Sequence, residues 1–191
     1  MVDSSTPGHR EVLLILGLGD DQVVERQLGF VNRLNENRGE EAQIRVFDTL
    51  WQTDETYGDK RQRLSEYVAE HSGIEVVYAI SAGASLGMSL VPELPAQTEY
   101  HFVSGKLRYP ETIGRQRRKR APALYDSVVA SERVISSNDL TKFKMTCHVG
   151  FLDGILQQKD MRVPGVKVSR IPMINHSAAI ILSYATILRK L

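Results

Sequence analysis

The net charge of this 191-residue chain is only +1, so no general electrostatic field favours nucleic acid or a membrane surface. Hydrophobic residues make up 42% of the chain and charged residues 25%, which is typical of a single soluble globular domain. The single cysteine, Cys147, cannot form an internal disulfide, and residues 1–10 lack the apolar segment of a signal peptide. We therefore expect a cytoplasmic protein that does not bind membranes, and the composition leaves its oligomeric state open.

Short apolar segments alternate with amphipathic ones along the chain. After a tail predicted to be flexible (residues 1–10), six strands are predicted at residues 11–17, 43–47, 75–80, 100–103, 143–151 and 166–171. Helices are predicted at residues 22–37, 59–71, 82–90, 121–136 and 177–191. Strands that alternate with helices predict an α/β fold, a three-layer sandwich with a mostly parallel sheet and helices on both faces. Ligands of such sheets bind at the carboxyl ends of the strands, so functional residues should follow strands directly.

The third predicted strand ends abruptly in small residues. Ser81 lies at this junction, in Ala79-Ile80-Ser81-Ala82-Gly83, where small neighbours allow a sharp turn and the hydroxyl projects from the strand end. A second serine, Ser85 in Gly83-Ala84-Ser85-Leu86-Gly87, is predicted about one turn into the following helix. The sequence therefore favours Ser81 over Ser85 as a nucleophile, while a helix-capping serine is the structural alternative.

A serine nucleophile needs a base, and the base needs an acid that orients it. Of the five histidines, only His176 follows the carboxyl end of a predicted strand and precedes a helix. Asp153 follows the fifth strand directly. Taken singly, Asp153 could be an ordinary loop carboxylate and His176 an ordinary first residue of the last helix. It is their combination with Ser81, each after a strand, that indicates a catalytic site.

The order Ser81, Asp153, His176 resembles the catalytic triad of the α/β-hydrolase superfamily. The resemblance extends over residues 11–191, and Gly150, Asp153 and Ile155 fit the sequence context of that family's acid. It implies a small serine hydrolase that cleaves an ester or related acyl bond of a small molecule through an acyl-enzyme, without a metal or organic cofactor. Some members place the acid after the preceding strand, which makes Asp126 the alternative acid here.

The same resemblance implies an oxyanion hole formed by the backbone amides of Leu18 and Ala82. Two positions depart from the family pattern, with Ala79 where glycine is usual and Leu16 in place of a histidine. Residues 104–142 occupy the position of the family's variable cap and would form a small insertion in a single domain covering residues 1–191. Because of the departures, a non-catalytic protein that keeps the fold as a binding scaffold remains a second hypothesis.

Two further sequence features have weaker functional interpretations. Gly17-Leu18-Gly19 resembles the start of a dinucleotide-binding sequence, but Gln22 takes the third glycine position and two aspartates would repel a pyrophosphate. The basic run Arg115–Arg120 is interpreted as a solvated surface loop away from the catalytic strand ends. Contact with an anionic substrate or a phosphate backbone is its alternative.

Cys147 and His148 are adjacent, which could suggest a thiol dyad. Neighbouring strand residues point to opposite faces of a sheet, so these two side chains are not expected to meet, and Cys147 is predicted to lie in the core. No group of histidine, cysteine or acidic residues has the spacing of metal ligands.

Overall fold

The computed structural model describes residues 10–38, 43–151, 155–172 and 175–191. Six parallel strands form one sheet in the order β2-β1-β3-β4-β5-β6, which confirms the predicted parallel α/β architecture. The strands are β1 (Val12–Ile15), β2 (Ile44–Phe47), β3 (Val76–Ile80), β4 (Glu99–Val103), β5 (Lys144–Gly150) and β6 (Lys167–Ile171). β1 and β3 are buried along their whole length, as expected of strands covered on both faces.

Helices cover both faces of the sheet. Those in the described part of the chain are α1 (Asp21–Asn35), α2 (Tyr57–Glu70), α3 (Gly83–Met88), α4 (Arg115–Arg120), α5 (Ala123–Ser137) and α6 (His176–Thr186). Short 3-10 turns are also present at Pro110–Thr112, Leu140–Lys142, Gln158–Met161 and Leu188–Lys190. None of the helices described is long and apolar enough to cross a membrane.

Alternate residues of each strand divide the core into two layers. Leu13 and Ile15 of β1 pack in the cluster that contains side chains of α2, α3 and α5. Val12 and Leu14 of the same strand pack on the opposite face, with side chains of α1 and α6. Ser81 therefore directly follows β3, the third strand of a sheet that is apolar on both faces.

The basic run is an α-helix, so the prediction of a loop at Arg115–Arg120 was wrong. Arginine, lysine and glutamine favour helix, but a run without apolar residues shows no hydrophobic period from which a helix can be recognised. Arg118 fixes this helix, because its guanidinium donates to the carbonyls of Pro110, Glu111 and Ile113 and lies 4.5 Å from the centre of the Tyr125 ring.

Residues 104–142, which were predicted to form a cap, have two different positions. α5 packs in the core layer against α3, where the Ser127 and Ser85 hydroxyls lie 2.8 Å apart. Residues nearer the start of the segment, among them Lys106, Thr112 and Arg117, instead line a cavity above the sheet.

Arg10 was predicted to be the last residue of a flexible tail. In the structure, hydrogen bonds and an ion pair hold it in place. Its amide donates to the carbonyl of Leu191 at 3.0 Å, and its guanidinium pairs with Glu99 at 2.7 Å. The rest of the predicted tail lies outside the described residues.

Candidate active site

Ser81 lies directly after β3 with a backbone φ of +50°. This is the left-handed region, which costs energy for any residue with a Cβ atom. Both backbone groups of Ser81 are hydrogen-bonded, since its amide donates to the carbonyl of Val103 at 2.9 Å and its carbonyl accepts from the amide of Ala84 at 3.2 Å. The surrounding chain thus holds a strained turn, and such turns are concentrated at functional sites.

Glycines allow two other segments to approach this turn. A Cβ atom at Gly17 would lie 2.6 Å from the Cβ atom of Ser81, and one at Gly83 would lie 2.5 Å from the carbonyl oxygen of Leu16. Neither contact is possible for a larger residue without movement of the backbone. The loop after β1 and the start of α3 can therefore meet at Ser81 only because both positions are glycine.

Ser81 and His176 form a hydrogen-bonded pair. The Oγ atom of Ser81 lies 2.9 Å from the Nε2 atom of His176, although 95 residues separate them in sequence. His176 is the half-buried first residue of α6, and this helix is capped by Asn175, whose side chain accepts from the amide of Ala178 at 2.8 Å. When Nε2 is unprotonated, the serine hydroxyl donates to it, which is the arrangement in which a histidine can act as base toward a serine.

The other candidate residues have distinct positions. Asp153, the predicted acid, lies outside the described residues. Asp126, the alternative acid, is an exposed residue in the first turn of α5. Ser85 is fully buried within α3, where its hydroxyl donates to the carbonyl of Ala82 at 2.9 Å. Of the two serines, only Ser81 therefore lies at the strand end and contacts a histidine.

The two residues predicted to supply oxyanion amides line the same cavity as Ser81. These are Leu18, in the loop after β1, and Ala82, directly after Ser81. Within the part of the chain that the structure describes, neither backbone amide donates to a protein acceptor. Two such donors beside a nucleophile can bind an oxygen that becomes negative during acyl transfer.

A loop between β2 and α2 fixes the position of the segment that carries Leu18. The carbonyl of Leu16 accepts from the Thr49 hydroxyl at 3.2 Å and from the indole nitrogen of Trp51 at 3.3 Å. The side chain of Gln52 donates to the carbonyl of Gly19 at 2.6 Å. No sequence motif points to Trp51, although a lone tryptophan in a loop can be a sign of packing or hydrogen bonding.

This loop is itself held by a fully buried lysine, Lys60 of α2. Its ammonium group donates to the backbone carbonyls of Thr49 and Leu50 and to the side chains of Thr53 and Glu55. A buried ammonium is stabilised only when its donors are satisfied in this way. Sequence reasoning missed Lys60, because a lysine in an amphipathic helix is usually exposed.

A cavity of about 220 Å³ opens on Ser81 and His176. Among the described residues, its charged lining consists of Lys106, Arg117, Lys159 and Asp160. Arg117 belongs to the basic run, so the expectation that this run lies away from the catalytic strand ends was wrong for this residue. A second groove of about 420 Å³, more apolar, runs between α1 and α6 and also reaches Ser81 and His176.

A separate buried histidine pair lies on the α1–α6 face of the sheet. The Nδ1 atom of His101 is 2.9 Å from the Nε2 atom of His148, and the other nitrogen of His101 lies 2.8 Å from a carboxylate oxygen of Glu99. Burial, together with the neighbouring His101, lowers the pKa of His148 from 6.5 to about 3. Burial also raises the pKa of Cys147 to about 12, so its thiol is not an activated nucleophile.

No protein-family model matches the sequence, and no curated protein sequence matches it. Solved structures do match. The ydeN gene product of B. subtilis superposes with a TM-score of 0.60 at 14% identity, over 93% of this chain and 99% of that one.

Two further structures have chemistry or fold stated in their names. The monoacylglycerol lipase of Paleococcus ferrophilus gives a TM-score of 0.57 at 14% identity over 88% of each chain. An alpha/beta hydrolase fold protein from Burkholderia ambifaria gives 0.56 at 12% identity, over 94% of this chain and 90% of that one. The chain has the α/β-hydrolase fold. At such low identity the likeness establishes the fold alone, so the activity has to be argued from the site.

In the α/β-hydrolase fold, a serine at the strand-to-helix turn is the position of the nucleophile. Ser81 occupies this turn, and His176 is the first residue of the last α-helix. Ala79, which departs from the family pattern, is a buried strand residue that packs against Gly87 of α3. A Cβ atom at Gly87 would lie only 2.9 Å from the Cβ atom of Ala79. The absence of a side chain at Gly87 therefore leaves room for alanine at position 79.

Proposed function

We propose that this protein is a serine hydrolase that cleaves an ester or related acyl bond. Ser81 acts as the nucleophile, His176 as the general base and acid, and Asp153 as the carboxylate that orients His176. The backbone amides of Leu18 and Ala82 stabilise the oxyanion. The observation that carries the proposal is the 2.9 Å contact between Ser81 Oγ and His176 Nε2 at a turn with a φ of +50°.

The chemistry follows from this pair. Ser81 Oγ attacks the acyl carbon while its proton passes to His176 Nε2, and the carbonyl electrons move to the oxygen held by the two amides. The bond to the leaving group then breaks, and His176 gives its proton to the departing oxygen. Water attacks the acyl-enzyme by the same route, which releases the acid and restores Ser81.

Asp153 enters the proposal from its sequence position. It is separated by one residue from Ile155, which lines the cavity together with Ser81 and His176. The exposed position of Asp126 on α5 gives that carboxylate no comparable link to the cavity.

Labelling with a fluorophosphonate, read by intact-protein mass, tests the nucleophile. We expect one label per chain in the native protein, none in Ser81→Ala, and full labelling in Ser85→Ala. Ser85→Ala is the matched control because it removes a hydroxyl from a serine only four residues further along the chain, inside α3. Labelling that survives in Ser81→Ala would contradict the assignment. An unlabelled native protein that is folded by circular dichroism would favour the non-catalytic scaffold.

A second pair of variants tests the acid. Asp153→Asn should lower turnover of a para-nitrophenyl ester on the order of 10⁴-fold, by analogy with triad aspartates, and leave the fold intact. Asp126→Asn should leave turnover within about twofold, as expected for an exposed surface change. The reverse result would transfer the acid role to Asp126.

A further inference from the structure

The cavity beside Ser81 has an unequal balance of charge. Among the described residues that line it, three are cationic, Lys106, Arg117 and Lys159, and one is anionic, Asp160. Both carboxylate oxygens of Asp160 are occupied, since Oδ1 accepts from Lys106 Nζ at 2.6 Å and Oδ2 accepts from the amide of Gln157 at 2.8 Å. Lys106 and Asp160 therefore neutralise each other within the wall.

Neither of the other two cations has such a partner among the described residues. No carboxylate of the described chain lies within ion-pair distance of Arg117 or Lys159. Lys159 lies over the ring of Tyr109, with its ammonium 5.5 Å from the ring centre. Two positive charges thus face a cavity whose other lining is partly apolar, with Leu18, Ile113, Leu124, Ile155 and Leu156.

Arg117 is not simply one member of an exposed basic run. Its neighbour Arg118 is tied to backbone carbonyls and to Tyr125, which fixes the rotation of α4. This orientation brings Arg117 to the cavity wall, whereas Arg115, Lys119 and Arg120 of the same helix do not line it. The helix therefore presents one specific arginine to the site.

We infer that the cavity takes an ester whose acyl or alcohol part carries an anionic group, a carboxylate or a phosphate, bound by Arg117 and Lys159. This inference rests on the proposed hydrolase function of the same site. The planar guanidinium of arginine can bind either anion through two parallel hydrogen bonds, and lysine supplies a second point charge. Removal of part of the surrounding water by the apolar lining strengthens both interactions relative to an open surface.

Matched substrates test the inference through hydrolysis. The carboxylate arm is the mono-para-nitrophenyl ester of glutaric acid, with para-nitrophenyl pentanoate as its neutral reference. The phosphate arm is the pentanoyl ester of para-hydroxyphenyl phosphate, with phenyl pentanoate as its neutral reference. We expect kcat/KM to be higher for at least one anionic ester than for its neutral reference. Arg117→Gln and Lys159→Gln should each lower that value roughly 3- to 10-fold, mainly through KM, and should lower it by a larger factor than they lower the value for the neutral ester.

Arg120→Gln is the control, because it removes the same charge from the same helix outside the cavity. It should leave the preference for the anionic ester unchanged. The effect of Arg117→Gln should shrink as NaCl is raised to about 0.5 M, since salt screens a partly exposed charge. Equal losses in Arg117→Gln and Arg120→Gln would show a general field effect and overturn the inference. So would a native enzyme that prefers the neutral reference over the anionic ester in both arms.

Binding measured without turnover separates this inference from the proposed function. Calorimetry with Ser81→Ala should detect glutarate or phenyl phosphate, with affinity lost when Arg117→Gln is added and kept when Arg120→Gln is added. Binding that depends on Arg117 in a protein that neither hydrolyses esters nor takes the fluorophosphonate would refute the function and retain the anion site. Hydrolysis of the neutral ester with no binding of either anion would retain the function and refute the anion site.

Discussion

Because the backbone at Ser81 is strained, we expect Ser81→Gly to have a higher free energy of unfolding than Ser81→Ala. Ser81→Ala and Ser81→Gly both lose the hydrogen bond to His176, so that loss cancels when the two variants are compared. What remains is the Cβ atom of alanine at a φ of +50°. At the matched position Ser85, inside α3, the backbone is helical and the preference should be reversed.

The expected difference can be worked from three terms. A left-handed conformation costs a residue with a Cβ atom roughly 1–2 kcal/mol. The unfolded chain of the glycine variant has more conformational freedom, which lowers the stability of Ser81→Gly by about 0.4–1 kcal/mol. Burial of the alanine methyl group beside Gly17 raises the stability of Ser81→Ala by about 0.4 kcal/mol. The net advantage of Ser81→Gly over Ser81→Ala is therefore about 0.5 kcal/mol, or a melting temperature higher by roughly 1–2 °C.

Urea unfolding of the four variants, two at each serine, measures this directly. At Ser85, glycine should be less stable than alanine by about 1 kcal/mol, because it weakens a helix interior. The strain argument requires the preference for alanine over glycine to be smaller at Ser81 than at Ser85 by about 1.5 kcal/mol. If glycine is less stable than alanine by the same amount at both serines, the turn at Ser81 stores no strain and the reasoning fails.

Three further predictions concern the surroundings of the site. Gly17→Ala should cost about 1–3 kcal/mol of stability in urea and slow fluorophosphonate labelling, because its new methyl group would lie 2.6 Å from the Cβ atom of Ser81. Asp160→Asn should cost about 3–5 kcal/mol in the same assay, since it leaves the buried Lys106 without its carboxylate. The low pKa of His148 should contribute stability that is complete above about pH 6.5 and is lost toward its folded pKa of about 3, at up to about 1.4 kcal/mol per pH unit. His148→Gln should flatten this acid-side slope, and an unchanged slope would show that His148 is not the group responsible.

The sequence predicted the sheet well because its strands are buried on both faces. A run such as Val12–Ile15 has no polar alternation, and this pattern is difficult to produce by chance in a surface segment. The same reasoning placed Ser81 at a strand end, because the β-branched residues stop at Ile80. His176 could be found because it is the only histidine that lies between the end of a predicted strand and the start of a predicted helix.

The remaining features depend on contacts between distant segments, which no local pattern contains. Lys60 looks like any lysine of a surface helix until the loop after β2 folds over it and supplies four acceptors. The position of Arg117 depends on the rotation of α4, which is set by the contacts of Arg118. Local sequence predicts secondary structure from period and propensity, but it does not predict which face of a charged helix meets a cavity.

The buried ion pair between Lys106 and Asp160 has a geometric role that its energy does not explain. A buried pair of this kind contributes little stability beyond what two apolar side chains of similar volume would supply. It does, however, join the segment after β4 to the 3-10 turn at Gln158–Met161, at the level of the cavity. The segment after β4 leads to Arg117, and the 3-10 turn contains Lys159. Because an ion pair fixes direction as well as contact, it can hold both cations at one spacing, which an apolar pair would specify less strictly. An anionic group that must reach both cations and Ser81 at once would require that fixed spacing.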